Sequence, residues 1–318
     1  MKAYIRSLII VILIIGGYSN LFAEETLSIT MHVEHAGTLE KLMDEQIAHS
    51  KQKQITSLIL SGYINSDDIS YIRGLAGGPN CYSQEYESFF WGSGGCLSNL
   101  DISNVNIIEG GSCYYYIKDE YGGRINERLT ENHIISEDMF YHCENLLSIK
   151  LPESVTAIRD NAFRDTQLTK ITIPDNIVTI GEYAFNGCDS LMNISVTDGN
   201  TNYVALDGVL FNATKTELIR YPQAKNGSYV IADGISIIGD YAFDGCKKLT
   251  KIILSKGLTK IGYNAFYGCD ALKELYVQNS VPIAVYFSGL DIRLGSCVLY
   301  VPKGSYNRYY LAPGWGGF

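Results

Sequence analysis

The chain of 318 residues carries 34 acidic against 25 basic side chains, a net charge of −9, and 46% of it is hydrophobic. That is apolar enough to fill a core, while the acidity excludes nucleic acid and anionic membrane surfaces as natural partners, since both would repel it. Tyrosine is abundant, at 24; it gives large, rigid and amphipathic contact area.

Lys2 and Arg6 precede an uninterrupted apolar run at 8–15, and Ala23 supplies the small residue of a cleavage point. Residues 1–23 therefore read as a secretory signal peptide, because the run is shorter than the roughly 20 residues that span a bilayer. No later stretch is long and apolar enough for a span, so no membrane crossing is expected in the mature chain. The expected location is secreted or at the cell surface, with the periplasm also open.

Residues 24–134 read as an N-terminal cap of divergent repeats. Residues 26–33 alternate weakly, as a strand would. Thr38 opens a helical pattern with Leu39, Leu42, Met43 and Ile47 on one face. Leu58 and Leu60 mark a strand at 55–62. Ser66, Asp67 and Asp68 then open a helix whose buried stripe is Ile69, Ile72 and Leu75. The stretch 97–103 repeats the strand formula. Two irregular Gly- and aromatic-rich segments, 77–96 and 110–123, interrupt this cap. Loops of that length are usually functional or disordered, and the aromatic content argues against disorder. Two readings stand: the aromatics fold back over the end of the core, or Tyr86, Phe90 and Trp91 meet a ligand.

From residue 135 to 301 the chain is periodic. Phe140, Phe163, Phe185, Phe243 and Phe266 head equivalent phrases, and the phrase at 238–260 is followed at once by a near copy shifted by 23 residues. Such a period denotes a solenoid. In each phrase the half L-x-x-I-x-L (Leu249, Ile252, Leu254) is a strand that sends Ile252 and Leu254 inward and Ile253 outward. The half I-G-x-x-A-F-x-G-C turns the corner, where Gly239 is expected to permit the tight backbone and Gly245 to take a conformation closed to other residues. One coil cannot bury its apolar face alone, whereas stacked coils can. An insertion at 197–228 breaks the period and carries a hairpin signal at Asp207-Gly208. Residues 302–318 read as a Tyr-rich, helical C-terminal cap. The fold class is thus an α/β repeat: a solenoid with one long parallel β-sheet, short turns or helical corners, and atypical caps.

The cysteines divide into two groups. Cys143, Cys188, Cys246 and Cys269 each stand three residues after a repeat Phe, where the fifth phrase has Thr166. A slot that takes Cys or Thr wants a small buried side chain, so these four are expected to be free thiols. Cys81, Cys96 and Cys113 lie in the loops instead, and a Cys81–Cys96 disulfide is a candidate pairing.

The phrases IGEYAFNGC, IGDYAFDGC and IGYNAFYGC, with following strands LTKITIP and LTKIIL, resemble the BspA-like leucine-rich repeats of bacterial surface proteins. The segments DGVLFN…LIRYP and LYVPKGS…APGW are similar to that family too. The resemblance implies a leucine-rich-repeat solenoid, secreted or surface-displayed, associated with adhesion and with binding host proteins.

Catalytic groupings do not emerge. His32 and His35 point to opposite faces of a strand and lack further ligands, so neither a metal nor another cofactor is expected. Gly92, Gly94 and Gly95 lack the helix and distal acid of a nucleotide fold. The outward row of the sheet, Asp101, Lys150, Thr172, Ser195, Ile253, Tyr276 and Tyr300, is polar first and then apolar and aromatic. Exposed apolar residues on one sheet face mark an interface, unless Tyr306, Tyr309 and Tyr310 of the cap cover them. The expected function is non-catalytic binding of a protein or glycan through Ile253, Tyr276 and Tyr300 and through the N-terminal aromatic loops. The alternatives are a hydrolase or lyase of surface polymers on a solenoid scaffold, or a purely structural envelope protein.

Overall fold

The structure, a computed structural model, describes residues 26–83, 88–91, 94–118, 121, 123–285, 290, 297–316 and 318, with backbone alone at 80–83 and 88–91. The expected signal peptide and Tyr86 lie outside the described residues. The chain forms two compact units, Met1–Ile134 with His142–Ser154, and Ile135–Tyr141 with Val155–Phe318.

The first unit holds a parallel sheet in the order Leu27–Val33, Ile55–Ile64, Asn99–Ile107, Ser148–Lys150. The helix Leu39–Gln46 buries Leu39 and Met43, and the helix Ser66–Leu75 buries Ile69, Ile72 and Leu75, as their spacing requires. The cap of the second helix is Asn65, one residue before the expected start, and Asp68 completes a capping box with it. The Asp68 carboxylate also accepts from the amides of Gly37 (2.6 Å) and Leu39 (2.9 Å), so one buried side chain fastens both helix starts. The two segments expected to be irregular are regular in part. Ser88–Trp91, Pro79–Ser83, Tyr115–Lys118 and Arg124–Arg128 form a mixed four-stranded sheet in that order. Beneath it Arg73 is fully buried, donates to the Pro79 carbonyl at 2.7 Å, and lies 5.0 Å from the Tyr115 ring centroid. Local hydrophobic pattern could not show this sheet, because the segments 77–96 and 110–123 are rich in glycine and aromatics without an alternating apolar face.

The second unit contains the regular coils. The rings of Phe140, Phe163 and Phe185 stack at 5.5 and 5.7 Å, and those of Tyr221, Phe243 and Phe266 at 5.0 Å per step. Each of these residues but the last of its run donates its amide to the Ala of the next corner: Phe163 to Ala184, Tyr221 to Ala242, Phe243 to Ala265. The alanines are themselves fully buried, so a larger side chain would overpack the corner. Tyr221 shows that the insertion hides a coil of its own: Glu217–Arg220 pairs in parallel with Ile237–Ile238 and Gly227–Val230 with Leu249–Leu254. Its surplus residues form the hairpin Tyr203–Leu206 with Val209–Asn212, turning at Asp207 and Gly208 as expected.

That hairpin corrects the expectation of one long sheet. Within the second unit the strands that carry the outward positions fall into two sheets, Lys170–Ile173 with Asn193–Val196, and Gly227–Val230, Leu249–Leu254, Glu274–Val277, Val298–Tyr300, while the short corner strands pair in parallel separately, Ala157–Ile158 with Thr179–Ile180 and Ile237–Ile238 with Lys260–Ile261. The break occurs because the Gly208 carbonyl at the hairpin turn accepts from the Ile194 amide at 3.0 Å, a bond that a neighbouring strand would otherwise supply.

The corner glycines play two different parts. Gly187, Gly245 and Gly268 have φ of 68°, 69° and 69°, the left-handed conformation expected at Gly245. Gly239, however, is not left-handed. The left-handed residue of the corner is the one before Ala-Phe, namely Asn161, Tyr241 or Asn264. At Gly181 and Gly262 glycine is needed for close approach instead, since a Cβ would meet the Asp160 and Asp240 carboxylates at 2.2 and 2.3 Å.

Cys143, Cys188, Cys246 and Cys269 are buried free thiols. The Cys188 and Cys269 thiols donate back to the carbonyls of Phe163 (3.1 Å) and Phe243 (3.2 Å), and Thr166 in the same slot donates to Phe163 at 2.8 Å. Burial pushes Cys143 and Cys188 up to about 11. Because the thiolate is the nucleophile, iodoacetamide at about pH 8 is expected to spare all four in the folded protein and to reach all four in denaturant. Labelling of two or more in the folded state would contradict the stacking. Cys96 carries a free, exposed thiol here, and the side chain of Cys81 lies outside the described residues, so their pairing stands as a proposal that thiol counting tests.

Candidate binding face

The four-stranded sheet of the second unit turns one face into the core and the other to solvent. Inward go Ile252, Leu254, Leu275 and Val277, all under 5% exposed. Outward, strand register aligns Val230, Ile253, Tyr276 and Tyr300 as one row. It aligns Lys251, Glu274 and Val298 as a second row, with Ser228 at its start. Val230 is 57% exposed, Val298 54% and Tyr300 40%, whereas Ile253 and Tyr276 are half-buried by their neighbours.

The aromatic end is ordered by its own contacts. The Tyr276 and Tyr300 rings lie 4.2 Å apart and 4° from parallel. The Lys251 ammonium sits 4.3 Å from the Tyr276 centroid and 3.3 Å from the Glu274 carboxylate. The Glu274 bond holds Lys251 protonated above its ordinary range, and the adjoining Tyr276 pushes the Tyr300 phenol up. The strands below hold these side chains in place, so little freedom is lost when a partner arrives.

The cap does not bury this row. Tyr309 and Trp315 close the end of the core: the Tyr309 hydroxyl donates to Asn279 and the Trp315 indole to Ile283, both at 2.9 Å. Tyr306 and Tyr310 stack on each other and stay 66% and 58% exposed. Elsewhere the outward positions pair among themselves: Thr172 with Ser195 at 2.8 Å in the second unit, Lys150 with Asp101 at 2.7 Å in the first.

Of the residues singled out in the sequence, the structure joins Ile253, Tyr276 and Tyr300 in one row. Phe90 and Trp91 lie on the strand Ser88–Trp91 of the first unit with backbone alone described, and Tyr86 lies outside the described residues. Val230 is the member that sequence reasoning missed. The run 228–234 reads as strand-like, but with the period broken by the insertion its register against Leu249–Leu254, which puts Val230 beside Ile253, is not countable from the sequence.

Among the described residues no group of three or more His, Cys, Asp or Glu side chains could hold a metal ion, and no helix is long and apolar enough to cross a membrane. Burial raises the Cys113 thiol, with Glu127 adding to the effect, which opposes activation as a nucleophile.

The profile of the BspA type leucine rich repeat region matches the chain in six copies over residues 125–226 and 221–286, half of its length. The chain belongs to the BspA-type leucine-rich repeat family. Its strand-and-corner coil is therefore the family's repeat, with Tyr221 in place of Phe in one copy. No curated protein matches the sequence. Solved structures that resemble it include the pneumococcal vaccine antigen PcpA (22% identity, TM-score 0.47, covering 70% of this chain and 45% of that one); a leucine-rich repeat protein from Eubacterium ventriosum (19%, 0.45, 74% and 57%); and a leucine rich cell surface protein from Faecalibacterium prausnitzii (18%, 0.43, 80% and 81%). The chain spans about half the length of the first two.

Proposed function

We propose that this BspA-type protein is an exported, non-catalytic binding or adhesion protein whose contact surface is the outward row Val230, Ile253, Tyr276 and Tyr300. The observation that carries the reading is a solvent-facing apolar and aromatic row on a sheet whose other face packs into the core. Aromatic side chains held rigidly supply most of the energy of a typical protein contact. Export to the surface is supported by the leader-like residues 1–23 and by the family. A Tyr276→Ala/Tyr300→Ala variant is expected to lose a partner recovered by wild-type protein in a surface pull-down, with its melting temperature unchanged. Equal recovery by both proteins would remove this face from the account. Turnover in a screen of glycan and peptide substrates would overturn the non-catalytic reading.

A further inference from the structure

If the outward row is the contact surface, as proposed above, its geometry also constrains the chemical class of the partner. A sugar ring binds an aromatic side chain by lying flat on an open ring face. Tyr276 offers none, because Tyr300 covers one face at 4.2 Å and the Lys251 ammonium covers the other at 4.3 Å. With both faces covered, the ring edge is the part of Tyr276 left for a partner, in a row with Ile253 and Val230. Aromatic edges carry the positive part of the ring quadrupole, so they suit carbonyls, carboxylates and the faces of other aromatic rings.

The exposed charges at the starts of these strands include two lysines. Lys248 and Lys273, both exposed, stand just ahead of the strands Leu249–Leu254 and Glu274–Val277, and Lys251 stands within the first. Glu274 is the acid among these strand positions, and it is held by Lys251 at 3.3 Å. With Glu274 held by Lys251, Lys248 and Lys273 leave positive charge at this end of the row, on a chain whose net charge is −9. We infer that the occupant is a segment of a partner protein in which apolar or aromatic side chains stand next to Asp or Glu, and not a glycan. The apolar side chains would cover Val230, Ile253 and the Tyr edges, and the carboxylates would meet Lys248 and Lys273. Complementary charge of this kind chiefly sets association rate and salt dependence.

Displayed random dodecapeptides and an immobilised oligosaccharide set, both presented to the full chain, test this. Recovered peptides are expected to combine aromatic or aliphatic residues with Asp or Glu. Their affinity should fall at least about tenfold in Tyr300→Ala and about threefold in Lys273→Glu, and should weaken between low and high salt. Unchanged melting temperatures keep either loss from being read as unfolding. Oligosaccharide binding that Tyr300→Ala abolishes would overturn the inference while leaving the face as the binding site. Peptides with no acidic bias and no salt dependence would overturn it as well. If neither peptide nor oligosaccharide binding changed in Tyr300→Ala, the proposed face itself would fail.

Discussion

Phe243→Ala is expected to lower the free energy of unfolding by about 3–5 kcal/mol, near the upper end for a truncated core aromatic. The ring is fully buried and lies between Tyr221 and Phe266, both 5.0 Å away, with Tyr229 tilted against it at 6.0 Å. Its backbone is fixed by the bond from its amide to Ala265 at 2.8 Å, so neighbouring coils cannot slide inward to fill the space. In a solenoid a residue touches only adjacent coils, so the loss at this site leaves the ladder cut in two. Urea unfolding checks the magnitude. A cost under about 1 kcal/mol would show that the coils collapse around the cavity and that the ladder is softer than its stacking implies.

Arg220→Met is the second large effect, and it falls where the period breaks. The inserted coil lacks a full corner, and a buried guanidinium supplies the missing donors: Arg220 reaches the carbonyls of Tyr241 at 2.6 Å and Phe185 at 3.1 Å while only 4% exposed. Gln223 assists by donating to the Asp244 carbonyl at 2.7 Å. Hydrogen bonds from a charged donor contribute about 1.5–3 kcal/mol each, and their removal strands buried carbonyls, so a loss of about 3 kcal/mol or more is expected. Arg220→Lys should recover only part, because an ammonium is a point donor without the planar fork.

The loss should also depend on pH. Burial raises the Asp244 carboxyl above its ordinary value, and the Arg220 charge pulls it back. A carboxyl raised in the folded state favours folding while protonated, and that contribution is lost as pH rises through the folded value. Without Arg220 the folded value rises further, so the variant should be more destabilised at neutral pH than at about pH 4. Equal losses at both pH values would mean that Arg220 acts through its carbonyl contacts alone.

Much of this was legible in the sequence because the repeat encodes its own environment. The apolar alternation of Ile252 and Leu254, the Ala-Phe pair and the Cys-or-Thr slot each demand one kind of site, and the coils supply it. The positive φ of Gly245 was legible for the same reason, whereas that of Tyr241 was not, since only the stacked backbone imposes it there. The coil around Tyr221 was hidden because Tyr replaces Phe and Arg220 replaces a corner's backbone donors, so LIRYP carries the resemblance without the A-F-x-G-C phrase that marks the other corners. Val230 was lost with it. The mixed sheet of the first unit was obscured in another way, since its segments are rich in glycine and aromatics without alternation and rest on the buried Arg73.

The coils serve as scaffold, and the proposed contact is the outward row Val230, Ile253, Tyr276 and Tyr300. Its most direct test is the equilibrium affinity of a recovered partner for wild-type protein, for Tyr276→Ala/Tyr300→Ala and for Thr172→Ala/Ser195→Ala. The account predicts at least about tenfold weaker binding for the tyrosine pair, unchanged binding for the Thr–Ser pair, and the same melting temperature for all three. Undiminished binding by the tyrosine variant would contradict it.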